Sequence, residues 1–170
     1  MKSVFVYCVI LSLLLTTSLA FAQDSKDHNQ YFWASIGGGL AFSDFHNSYL
    51  AGNINASYQT QNYIVSARIG GFSTISIFGS ATPNITEAGI LYGVAKRSNY
   101  FFNSIACGLA FVTGKDESGK QVSTLGIPIE AQLFTTAGRY IGIGFYGIAD
   151  LNLRIPYIGL LLCFQLGKLK

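Results

Sequence analysis

Few side chains in this sequence could do chemistry. "HNS", residues 46 to 48, sets His46 two residues from Ser48. The pair lies in the first loop, and nucleophilic catalysis needs serine and base within hydrogen-bond reach. The base also needs an orienting acid, and no acidic residue follows until Glu87. Two parts of three leave a polar turn as the reading. Nor do His28 and His46, two cysteines beyond the first two dozen residues and scattered acids make a metal-ligand pattern. "IGGGL" at Ile36–Leu40 precedes no helix and lacks a phosphate-binding lysine, so it reads as strand packing. No cofactor and no metal are expected. The chemistry that remains is structural: Arg68, Glu130, Asn53 and Asn55, whose surroundings depend on the elements that carry them.

Composition constrains those elements. Half of the 170 residues are hydrophobic and only 11% are charged, against roughly 25% in ordinary soluble domains. Mean hydropathy is +0.38. Beyond the first two dozen residues, however, no apolar run reaches the roughly 18 residues of a membrane helix. Strands that alternate between lipid and interior reconcile these facts, because each hides its apolar character in every second residue. The net charge of +3 is small and no Lys/Arg cluster indicates nucleic acid.

The N-terminus reads as a processing signal. Lys2 supplies positive charge, Val4 to Leu15 is apolar, and Ala20-Phe21-Ala22 is a small-x-small cleavage site. Residues 1–22 are therefore expected to be a signal peptide, 23–30 a polar lead-in and 31–170 the folded unit.

From Tyr31 onward a period of two recurs in eight segments, the signature of strands. In "RYIGIGFYGIADLNLR" Ile141, Ile143, Phe145, Leu151 and Leu153 alternate with Gly142, Gly144, Tyr146, Asp150 and Asn152. Each segment is roughly ten residues long, the length of a tilted membrane strand. Short polar turns are expected at 59–62, 96–99 and 136–139, after even strands. The links at 43–47, 73–83, 113–120 and 152–156 follow odd strands, and two of them are longer. That asymmetry is the one seen in outer-membrane barrels. Aromatics gather near strand ends as two girdles: Phe32, Tyr58, Tyr63, Phe101 and Tyr140 toward the turns, and Phe42, Tyr49, Phe72 and Phe111 toward the loops.

A soluble barrel with an apolar interior would need a charged outer face. The charges between Tyr31 and Gly167 fall in turns, in loops or on the small-residue face, and none on the Ile/Leu/Phe face. In water that face would be one large apolar patch. The bulky face is therefore read as meeting lipid. The Gly, Ser, Asn and Tyr face then meets the interior.

The pattern resembles the small eight-stranded bacterial outer-membrane barrels, the group that includes the transmembrane domain of outer membrane protein A. The resemblance implies an all-β, closed, antiparallel up-and-down barrel in the outer membrane of a Gram-negative bacterium. It also implies a last-strand signal for the barrel assembly machinery, polar-x-Gly-x-x-hydrophobic-x-aromatic, met here by Tyr157, Gly159, Leu162 and Phe164. Family members often end on the aromatic, whereas six residues follow Phe164. Some small barrels of the lipid A deacylase kind place His, Ser and an acid on adjacent outward positions; here the acid is missing.

An eight-stranded interior is just wide enough to be filled by its own side chains. Inward glycines at 37, 39, 108, 142, 144 and 159 leave room that Trp33, Phe102, Tyr146 and Tyr157 are expected to fill. Arg68 and Glu130 point inward about six residues from the turn end, with Asn53 and Asn55 nearby. Buried charges persist only when paired and hydrogen-bonded, so these four are expected to form a polar network. Cys107 and Cys163 fall on opposite faces of strands three apart and are expected to be free thiols. The functional reading is a non-enzymatic structural or surface-interaction barrel, with outer-membrane lipids and the assembly machinery as partners. A lipid-modifying enzyme, or a carrier or narrow channel for a small apolar molecule, is the alternative.

Overall fold

The computed structural model describes residues 30–43, 47–73, 85–115, 120–136 and 138–169. The expected signal peptide and His46 lie outside the described residues. Eight strands follow one another: β1 (Gln30–Ser43), β2 (Asn47–Thr60), β3 (Tyr63–Ser73), β4 (Ile85–Arg97), β5 (Phe101–Lys115), β6 (Gln121–Thr136), β7 (Ile141–Leu151) and β8 (Tyr157–Lys168). Each pairs antiparallel with its chain neighbours, and β8 closes onto β1. Closure removes both sheet edges. The even-to-odd connections are tight. That between β2 and β3 has two residues, with Gln61 at φ 52° and its carbonyl accepting from Gln59 Nε2 at 2.9 Å.

Alternation fixes which residues meet which side. On β3, Tyr63, Val65, Ala67 and Ile69 are exposed while Ile64, Ser66, Arg68 and Gly70 are buried. The registers align such faces across strands, so that Ile36, Ile54 and Ile69 form one outward row. A perpendicular path also climbs the wall. Gly37, in mid-β1, leads through Asn53, Gly70, Glu87 and Val112 to Thr124, near the loop end of β6. This climb is the stagger that a closed barrel of tilted strands requires.

Inside, several glycines face larger register partners. A Cβ on Gly37 would lie 1.9 Å from the sulfur of Cys163, its register partner, and one on Gly144 would lie 2.6 Å from Cα of its partner Phe134. The expected size complementarity is thus set between directly paired residues as well as by distant aromatics. Trp33, Phe102, Phe134 and Tyr146 are fully buried and occupy the column. Trp33 and Phe102 meet edge to face at 4.9 Å.

Three expectations change. Tyr49 and Phe72 are not girdle residues: both share parity with the inward face and are buried, Phe72 against Tyr157 with ring centroids 4.2 Å apart. Arg97 is not a turn residue, because β4 extends through it. The same extension of strand ends places Lys96, Lys115 and Lys168 at outward positions, so the Ile/Leu/Phe face does carry cations at its two rims.

Between the rims the outer wall is apolar. Ile69, Ile90, Leu109 and Leu125 are 62–72% exposed. Phe32, Tyr58, Tyr63, Tyr92, Phe101 and Tyr140 ring the turn end, with Tyr63 stacked on Tyr92 at 5.9 Å.

Candidate functional site

Two clusters stand out among the polar side chains of the interior. In the first, the carboxylate of Glu130 on β6 is the hub. It accepts from Ser66 Oγ at 2.8 Å, Gln132 Nε2 at 3.0 Å, the Tyr146 hydroxyl and, at 3.5 Å, Asn55 Nδ2. Asn55 also donates to the Tyr146 oxygen at 3.0 Å and accepts from Ser57. Donors from β2, β3, β6 and β7 thus converge on one buried carboxylate, which is how an anion survives away from water.

In the second cluster Arg68 on β3 bonds Glu87 on β4. Its Nε donates to Glu87 Oε1 at 3.0 Å, Nη2 donates to the same oxygen, and Nη2 reaches the Tyr157 hydroxyl at 3.4 Å. The direct register partners explain the pairing. Arg68 faces Gly89, and Glu87 faces Gly70. Two absent side chains leave a diagonal along which the guanidinium reaches the carboxylate. Both residues are buried.

Of the expected network, Asn55 and Glu130 meet directly, while Arg68 takes Glu87 as its ion-pair partner. Asn53 lies one register step away, within 3.7 Å of the Cys163 sulfur. Counting residues from the turn ends set Arg68 level with Glu130, but β4 overhangs β3 there: Tyr63 pairs with Val94, leaving Ala95–Arg97 beyond it. Glu87 therefore lies only two positions from Gly89, the register partner of Arg68. Its inward parity together with Gly70 and Gly89 was the signal available for it.

Side chains at both ends of the barrel are also bonded. At the turn end the Arg97 guanidinium sits over Tyr31, Trp33 and Phe102, 4.5–5.2 Å from their ring centroids. It donates to Gln59 Oε1 and, at 2.7 Å, to the Leu169 carbonyl. Leu169 is fully buried and its N–H donates to the Arg139 carbonyl at 2.9 Å. At the loop end Asn152 Oδ1 accepts from the Arg154 and Ile155 N–H groups, and its Nδ2 donates to Asp150 Oδ1 at 2.8 Å. This ties the β7–β8 link to a buried carboxylate.

On β8, Tyr157 and Gly159 face inward while Leu162 and Phe164 face outward. Cys107 and Cys163 are free thiols, exposed and buried respectively. Among the described residues no group of three or more His, Cys, Asp or Glu side chains could hold a metal ion. Ser48 lies on β2, and its expected companion His46 is outside the described residues.

Comparison with solved structures decides the fold. Neisserial surface protein A aligns over 81% of this chain and 96% of its own, with a TM-score of 0.62 and 9% identity. The fold is that of the small outer-membrane β-barrels. The Yersinia pestis outer membrane protein Ail in a phospholipid bilayer nanodisc aligns over 82% of this chain and 99% of its own, with a TM-score of 0.56 and 14% identity. The N-terminal β-barrel domain of Pseudomonas aeruginosa OprF gives 0.55 at 13% identity, over 82% and 98%. No family model and no curated protein sequence matches the chain. The likeness therefore lies in fold rather than in sequence.

Proposed function

We propose that this protein is an integral barrel of the outer membrane of a Gram-negative bacterium, exported by a signal peptide cleaved after Ala22. On this reading it is non-enzymatic and presents the links after its odd strands at the cell surface. The observation that carries the proposal is the outer wall. A continuous band of Ile, Leu, Phe and Val lies exposed between two rims, while Glu87, Glu130 and Asp150 are fully buried. Water would make that band an aggregation surface, whereas a bilayer stabilises it.

The filled column of Trp33, Phe102, Phe134 and Tyr146, crossed by the Glu130 cluster, supports a structural or surface-interaction role over a transport role. Tyr157, Gly159, Leu162 and Phe164 on β8 are proposed as the segment read by the barrel assembly machinery. Surface names among the similar structures, such as Neisserial surface protein A, fit the same reading.

Refolding into phospholipid vesicles followed by protease treatment tests it. The eight strands should be protected and cleavage should fall in the links. Complete digestion, or soluble monomers without lipid, would contradict the proposal.

A further inference from the structure

The outer wall carries two recesses that meet. The first, about 220 Å³, lies at the turn end across β4, β5 and β6. One side of it is the cross-strand pair Lys96 and Asn103, and the other is the outward row of Val94, Ile105 and Ala131. That row continues through Gly147 on β7 to Leu160 on β8. Ala131 and Gly147 make a low pass in it. Beyond the pass is the second recess, about 430 Å³, bedded by Ala149, Ile129, Ile158 and Phe42. Ala131 lines both.

The pass is not imposed by barrel packing. A Cβ on Gly147 would meet its nearest neighbours, the Ala131 carbonyl oxygen and Cβ, at 3.8 and 4.0 Å. Those are ordinary contacts, unlike the 1.9 Å overlap at inward Gly37. The chain therefore keeps a groove that its own fold does not need. One end offers an ammonium and an amide at the turn-side rim, and the rest is apolar. Charge fixes the sign of what fits: the one charged residue in the lining of either recess is Lys96.

We propose that this groove binds one anionic glycerophospholipid from the leaflet at the turn side, its phosphate at Lys96 and Asn103 and one acyl chain laid over Ala131 and Gly147. The proposal rests on the membrane reading above. It adds a defined lipid site to a wall otherwise wetted by bulk lipid. A third recess of about 700 Å³, floored by outward Gly38, Gly52 and Gly71, has no charged residue in its lining and serves as the internal control.

Native mass spectrometry of the refolded protein, released from micelles doped with dioleoylphosphatidylglycerol or dioleoylphosphatidylcholine, tests the site. One phosphatidylglycerol should be retained in preference to phosphatidylcholine. Lys96→Gln should weaken retention about fivefold, the weight of one lysine at an anionic lipid surface. Ala131→Phe, which blocks the pass, should also weaken it, and Gly71→Val in the control recess should leave it unchanged. Equal retention of the two lipids, or indifference to both Lys96→Gln and Ala131→Phe in a barrel that folds and inserts, would overturn the lipid site alone. A chain that never inserts, shown by the absence of a heat-dependent gel shift, would overturn the site and the membrane reading together.

Discussion

Arg68 and Glu87 show how the interior tolerates charge. Both are buried, so each depends on the other and on the space left by Gly89 and Gly70. Removing one partner of a buried pair typically costs about 3–5 kcal/mol, because it strands the other charge, whereas replacing both by apolar groups is often near neutral. Arg68→Met should therefore destabilise more than the double change Arg68→Met with Glu87→Leu. Urea unfolding of the refolded barrel measures both; equal losses would mean that the pair is not coupled. Tyr146→Phe makes a second test. It removes a donor to Glu130 and an acceptor for Asn55, and should cost about 1–3 kcal/mol. A neutral result would mean that the Glu130 carboxylate is held without it.

Each strand presents one face to lipid and one to the interior, and substitution by depth separates the faces. Leu109, in mid-β5, is 69% exposed, and Leu151 closes β7 at the loop rim. Lysine at a lipid-facing midplane position should cost about 2–4 kcal/mol, falling to roughly 0–1 at an interface. Leu109→Lys should thus lower the stability of the inserted barrel more than Leu151→Lys, read by unfolding in vesicles; equal effects would remove the depth gradient. Parity made these faces legible in the sequence. It set Cys107 outward and Cys163 inward, as they stand. Register was not legible. Where one strand overhangs the next depends on hairpin geometry and on the stagger of the whole ring, so Glu87 was missed as the partner of Arg68. Strand ends were hidden too: Arg97 lies among polar residues that read as a turn, whereas the cage of Tyr31, Trp33 and Phe102 and the bonds to Gln59 and Leu169 hold it at the end of β4.

As a whole, the described residues form a filled cylinder with an apolar girth and Lys96, Lys115 and Lys168 at its rims. The buried column of Trp33, Phe102, Phe134 and Tyr146 predicts no steady ion conductance when the protein is inserted in planar bilayers. Sustained unitary currents would show that the interior opens. The central claim is that the Ile/Leu/Phe face meets lipid and its alternate face the filled interior, and the two thiols report on it directly. In the folded protein inserted in vesicles, a lipid-soluble maleimide should label Cys107 and spare Cys163, while a water-soluble maleimide should label neither at an appreciable rate. Rapid aqueous labelling of Cys107, or labelling of Cys163 ahead of Cys107, would contradict the face assignment and the membrane account built on it.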